Sequence, residues 1–282
     1  MITAPIKKVG NGASRIAGGE YSERISTKGK DEINELASDF NRMAEQVEEK
    51  IAQLSDAARQ KEDFAANFAH ELKTPLTSVI GYADMLYQRD LPREAVKSAA
   101  EYILNEGMRL EALSLKLMDL FVMDKQDFTL EEMSVKDIFT NLRQGIEPVC
   151  RKHEVQLHVE IGNGIIKADY DLFKTMILNL IDNSVKADCR DIWISGKAEK
   201  GIYQICLRDN GRGIPPEELG RITEAFYMVD KSRSRKQHGA GLGMTLVAKV
   251  MEIHGAGMRI ESDGKTGTKV CLRFIQKEGE DK

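Results

Sequence analysis

Apolar residues at Phe64, Phe68, Leu72, Leu76, Val79, Ala83 and Leu86 recur every three or four positions, the spacing of one buried stripe on an α-helix. His70 stands two residues from both Phe68 and Leu72. At roughly 100° per residue its imidazole points away from that stripe, toward water or a partner. A break at Arg89-Asp90-Leu91-Pro92 is followed by a return helix with Ala99, Ile103, Leu110, Leu113, Leu117 and Leu120 on one face. Two such helices cannot close a core by themselves. Residues 55–123 are therefore expected to form a helical hairpin that pairs with a second copy in a homodimeric four-helix bundle.

Upstream, residues 1–54 read as a small module: a short segment headed by Pro5, a connector with Gly18 and Gly19, and a second helix. In that helix Ile33, Leu36, Phe40, Met43 and Val47 alternate spacings of three and four, as in a coiled coil or parallel bundle. Ile51 and Leu54 continue the stripe with a shift of phase. Downstream of a polar linker at 124–132 the texture changes. Val155, Leu157, Val159 and Ile161 alternate with polar residues, as do Tyr203, Ile205 and Leu207, and later Val270, Leu272 and Phe274, the period of half-buried strands. Helices are expected at 135–152, 170–187 and 242–254, covering one face of a sheet. The fold class is thus multidomain: an all-α dimerisation region followed by an α/β sandwich over 132–277.

With 282 residues, 41% hydrophobic and 30% charged, the chain can bury at least one sizeable core and divides into two or three units. A net charge of -4, with both signs well mixed, argues against nucleic acid as a partner. Cys150, Cys189, Cys206 and Cys271 are scattered and form no C-x-x-C pair, so neither a zinc site nor a disulfide framework is expected, and a reducing cytoplasm fits. No run of about 18 apolar residues occurs and no signal-peptide pattern opens the chain, so this stretch is not expected to span a membrane.

Three patterns in the α/β part carry candidate chemistry. On a helix, Asn179, Asn183 and Lys186 share one face. Amide carbonyls suit a hard magnesium ion that bridges phosphates, and the ammonium offers charge to the same phosphates; a solvated polar face is the plain alternative. Asp209 ends a strand and is followed by Gly211 and Gly213, which bring backbone close to whatever the carboxylate grips, an adenine amino group or simply a turn. Gly239, Gly241 and Gly243 open a helix whose free N–H groups can receive phosphate. The segment Gly264-Lys265-Thr266 is not a P-loop, because Arg259 stands where its first glycine belongs and no helix follows.

In this order the pieces resemble the sensor histidine kinases of two-component signalling, whose catalytic unit shares a superfamily with gyrase and the Hsp90 chaperone. His70 to Pro75 resembles the H-box, Asn179 to Lys186 the N-box, and Asp209 to Gly213 the first glycine box. Glu224-Ala225-Phe226 resembles the F-box and Gly239 to Gly243 the second glycine box. Residues 1–54 are similar to a HAMP module, with Asp31 to Leu36 opening its second helix. The resemblance implies that ATP and Mg2+ bind the α/β domain, with Asn183 on the metal, Asn179 and Lys186 assisting and Asp209 selecting adenine. The γ-phosphoryl would pass to a ring nitrogen of His70, with Glu71 as base at an exposed edge. Residues 227–240, with Lys231, Arg233, Arg235, Lys236 and His238, would form a lid over the nucleotide. Thr74 would help place the water that dephosphorylates a partner response regulator receiver domain. Pro75 is expected to bend the helix. In the family a HAMP module receives its signal from a transmembrane helix. The chain is accordingly expected to be the cytoplasmic portion of a membrane sensor, and Lys7 and Lys8 agree with a positive-inside flank. Two other readings are a scaffold that binds nucleotide without transferring phosphate, and an ATPase of the gyrase or Hsp90 kind.

Overall fold

The computed structural model describes residues 3–25, 32–229 and 241–276, which divide into two compact units, residues 1–67 and 68–282. In the first unit, helix α1 (Thr3–Ala17) packs on the first part of helix α2 (Glu32–Gln88). Their small core is Val9, Ile25 and Ala37, with Ile33 and Phe40 packed against it. Gly12 makes the contact possible: a Cβ there would lie 2.4 Å from Ile25 Cγ1. Asn41 fastens the connector by accepting from the Ile25 N–H at 2.7 Å and donating to its carbonyl at 3.0 Å. The expected stripe is split here. Ala37 and Ala44 are the fully buried positions, because small side chains let the helices approach, whereas Leu36 and Met43 remain exposed. Asp31 lies outside the described residues.

Helix α2 runs through residues 54 and 55 without a break, since no Gly or Pro occurs between Glu32 and Thr74. In the second unit its last turns form a hairpin with helix α3 (Arg93–Lys125) across residues 89–92, where Pro92 caps α3. Ala99, Leu113 and Leu117 are buried as the periodicity predicts, and Tyr82 stacks on Tyr102 at 4.8 Å. Leu76 departs from expectation: it is 50% exposed, because one neighbouring helix covers only a narrow seam of a wide apolar face.

The rest of the unit is α/β. Strand β1 (Glu131–Ser134) pairs antiparallel with β3 (Ile165–Ala168). A five-stranded sheet has the order β2-β4-β5-β7-β6, formed by Gln156–Ile161, Asp191–Glu199, Ile202–Asp209, Thr268–Ile275 and Gly257–Ser262. Only β2 and β4 run parallel. Helices α4 (Val135–Lys152), α5 (Tyr170–Lys186) and α6 (Gly243–Ile253) cover one face of the sheet, close to the expected ranges. Ser134 caps α4 and Asp169 caps α5, each accepting a hydrogen bond from an N–H three residues on. Phe173, Ile177 and Ile181 of α5 and Val247 of α6 meet Ile194, Tyr203, Ile205 and Leu272 of the sheet in one core. Strands β1, β3, β4 and β6 were not anticipated. The first two are short, and β4 ends in the solvated run Lys197, Ala198, Glu199.

One expectation is overturned on the uncovered face. Cys206 and Cys271 are joined in a disulfide although 65 residues separate them, because β5 and β7 set them opposite each other. Spacing along the chain carries no trace of strand register. Cys150 and Cys189 are buried free thiols. Among the described residues no helix is long and apolar enough to cross a membrane.

Candidate nucleotide cleft and phospho-acceptor helix

The cleft grows out of three chain segments that converge at one end of the α/β sandwich. The last two turns of α5 supply Asp182, Asn183 and Lys186; the end of β5 supplies Asp209 and, just beyond, Gly213; the start of α6 supplies Gly241 and Gly243. Together with Ile214, Ile222, Tyr227, Met244 and Lys116 they line a space of about 210 Å³. An apolar floor from Leu180, Leu207 and Val270 suits a flat aromatic base, and the polar rim suits phosphates.

Asp209 is 3% exposed. Its Oδ2 accepts from Ser184 Oγ at 3.0 Å, and its Oδ1 from the N–H groups of Gly211 at 2.9 Å and Thr268 at 3.2 Å. Three donors on one carboxylate fix its aim. Gly213 has φ +75°, and a Cβ there would lie 2.9 Å from the Lys265 N, so the turn that follows Asp209 needs glycine twice over.

On α5, Lys186 donates to Asp182 Oδ2 at 2.7 Å, and Lys116 of α3 approaches the same oxygen at 3.8 Å. Burial, reinforced by Lys186 nearby, lowers the pKa of Lys116. Asn183 Nδ2 is buried without a hydrogen-bond partner. Gly243 abuts this amide: a Cβ on it would lie 3.2 Å from Asn183 Oδ1 and 3.3 Å from Asn179 Oδ1. A buried amide with an unspent N–H donor beside a helix N-terminus fits a phosphate oxygen, and its Oδ1 is the atom that a hydrated divalent cation accompanying the phosphate would take.

Of the residues singled out in the sequence, Asn183, Lys186, Asp209, Gly213, Gly241 and Gly243 line the cleft. Asn179, Gly211 and Phe226 stand behind the lining. Asn179 is buried and donates to the Thr175 carbonyl at 2.9 Å. The Phe226 N–H donates to the Gly241 carbonyl at 2.9 Å, and its ring lies 6.4 Å from that of Phe68. Gly239 and the lid cations Lys231, Arg233, Arg235, Lys236 and His238 lie outside the described residues. Ser184, Thr268 and Lys116 were missed, the first two because Ser184 reaches Asp209 through its hydroxyl from helix α5 and Thr268 through its backbone N–H from β7.

On the hairpin, His70 is exposed and Thr74 donates from Oγ1 to the His70 carbonyl at 3.3 Å. Glu71 does not sit at an exposed edge as expected. It is 8% exposed, and its Oε2 accepts from Arg109 Nη2 at 3.1 Å. Arg109 in turn lies 3.6 Å from Glu106. A signal for it existed: Arg109 stands four residues before Leu113, on the buried face of α3.

Three family models match successive parts of the chain: the HAMP domain over residues 1–49, the His Kinase A (phospho-acceptor) domain over 60–125, and the histidine kinase-, DNA gyrase B- and HSP90-like ATPase over 168–278. The chain belongs to the sensor histidine kinases. The sensor histidine kinase YclK of Bacillus subtilis (strain 168) is 29% identical over 274 residues, which are 95% of this chain and 58% of YclK. The chain spans about half the length of the curated MtrB sensor kinases it matches. Among solved structures, histidine kinase ThkA in complex with the response regulator TrrA aligns with a TM-score of 0.61 at 16% identity, over 81% of this chain and 67% of that one. Full-length ShkA in complex with AMPPNP aligns at 0.54 and 20% identity, over 77% of this chain and 47% of ShkA. These likenesses bear on the fold, and the family's helical region followed by an α/β ATPase domain is the arrangement found here.

Proposed function

We propose that this sensor histidine kinase chain transfers the γ-phosphoryl of ATP to His70 and passes it on to an aspartate of a response regulator receiver domain. The observation that carries the reading is the cleft itself, where Asn183, Lys186, Asp209 and the glycines converge in the same compact unit as the exposed His70. Asp209, fixed in aim by three donors, accepts a hydrogen bond from the adenine amino group. Lys186, and Lys116 beside it, neutralise phosphate charge as they exchange their contacts with Asp182 for the nucleotide. Asn183 holds Mg2+ through its amide oxygen with Asn179 behind it; bound magnesium supplies charge neutralisation and a template for the phosphates. Positioning and charge neutralisation dominate phosphoryl transfer, so these residues contribute more than any proton acceptor.

His70 presents a ring nitrogen to the γ-phosphorus. Glu71 orients the ring and takes the proton from its other nitrogen through Oε1, since Oε2 is engaged by Arg109. Thr74 serves the reverse function, placing a water for removal of the phosphoryl group from the regulator. The hairpin acts as a homodimer, which its exposed apolar residues Leu104, Leu115 and Met118 support. ThkA bound to TrrA, and ShkA bound to AMPPNP, support the regulator and the nucleotide respectively. The membrane enters only through a transmembrane segment upstream, which makes this chain the cytoplasmic portion of an anchored sensor.

The test is incubation with magnesium and γ-labelled ATP. Wild type is expected to acquire an acid-labile, alkali-stable label that His70→Gln abolishes; label persisting in that variant overturns the acceptor assignment.

A further inference from the structure

Two cysteines that the cleft does not use lie on the uncovered face of the five-stranded sheet. Cys206 of β5 and Cys271 of β7 are partners in register, with Cα atoms 4.2 Å apart, and are joined as a disulfide. That separation belongs to the narrow kind of antiparallel pair, whose side chains come closest. Cys271 is buried and Cys206 half-buried, so Cys206, with the Gln204 amide 3.0 Å from its Sγ, is the more open of the two. The same strands build the nucleotide site. Three residues beyond Cys206, β5 ends at Asp209; three residues before Cys271, β7 begins at Thr268, whose N–H donates to Asp209 Oδ1 at 3.2 Å.

We propose that Cys206 and Cys271 form a reversible redox site that tunes the hold of the cleft on adenine nucleotide. The inference rests on the nucleotide reading above. A domain that consumes ATP works where thiols are kept reduced, and disulfides in that setting are transient and regulatory. The co-reactant is a low-molecular-weight thiol or a dithiol protein. Its thiolate attacks Cys206 Sγ, the S–S bond breaks, and the electron pair leaves on Cys271 Sγ, which takes up a proton. A second thiol of the reductant then attacks the mixed disulfide and releases Cys206 as a thiol. Two electrons and two protons pass to the chain, and one disulfide forms on the reductant.

When closed, the bond ties β5 to β7 one strand-turn away from the ends that aim Asp209. When open, the backbone ladder still pairs the strands, but their ends are freer and the Thr268 N–H leaves the carboxylate more often. The remaining cysteines do not compete for this role. Both are buried, and burial pushes the Cys150 and Cys189 thiols up, the latter to about 12.

The test uses the full chain equilibrated in glutathione buffers from oxidised to reduced, with free thiols tagged by a maleimide and mapped by mass, and with a fluorescent ATP analogue titrated at each setting. Opening of Cys206–Cys271 in the folded protein is expected, with nucleotide affinity falling about fivefold, the partial loss of one hydrogen bond to a charged group. The double variant Cys206→Ser, Cys271→Ser is expected to sit at the reduced value and ignore the buffer. A pair that stays closed until the protein unfolds, or equal affinity in both states, overturns the redox inference. No binding in either state overturns instead the nucleotide reading beneath it.

Discussion

Arg109 shows how one side chain sets the surroundings of Glu71. It is 7% exposed and compensates Glu71, itself buried, so the two charges form a pair that desolvation makes costly to break. Arg109→Met leaves an uncompensated carboxylate inside the hairpin and is expected to cost about 3–5 kcal/mol. Adding Glu71→Gln should recover much of that loss, and thermal melting of the single and double variants measures it. His254 carries a pH dependence of its own. Its Nε2 accepts from the Asp169 N–H at 3.2 Å and its Nδ1 faces the Val250 carbonyl at 2.7 Å, an arrangement that needs the neutral ring. Burial accordingly lowers its pKa from 6.5. The unfolded chain therefore takes up the proton first on acidification, so stability is intact above about 6.5 and is lost as pH falls from there through the lower folded value. Melting temperature should fall more between pH 7.5 and pH 5.5 in wild type than in His254→Gln, roughly in proportion to that uptake.

At the scale of elements, the turn between β5 and the short 3-10 helix Pro216–Glu218 joins sheet to cleft. Gly213→Ala there combines a positive φ with a Cβ 2.9 Å from Lys265 N, and a loss of about 1–3 kcal/mol is expected. Nucleotide affinity should drop with it, because the same turn follows Asp209; equal binding by a folded Gly213→Ala chain would separate the turn from the site. Elements were legible where burial is one-sided. Helices α4 and α6 and strand β5 each present a clean apolar face, the kind of pattern that is readable along the chain. Strand β4 was illegible in part because Trp193 faces the open side, stacked on His158 at 5.6 Å and capped by Arg208, which blurs the alternation.

On the scale of the molecule, the hairpin leaves more apolar surface exposed than a stable monomer needs, with Leu104 at 62%, Leu115 at 59% and Met118 at 65%. Leu115→Asp with Met118→Glu is expected to yield a monomer in sedimentation analysis while the α/β sandwich keeps its melting transition. A dimer that survives both charges would place the interface elsewhere.

Sequence by itself determined the features that depend on neighbours three or four positions away, or two: the helices and three of the seven strands, the outward turn of His70, and the ordered boxes whose spacing marks the family. Tertiary structure alone decided which of those features meet. Glu71 finds Arg109 across 38 residues, Cys206 finds Cys271 across 65, and Thr268 reaches Asp209 from a different strand. Periodicity records how a segment divides water from core, because each residue feels that division locally. Pairing between distant charges, sulfurs and backbone groups depends on strand register and helix packing, which arise only once the core has closed.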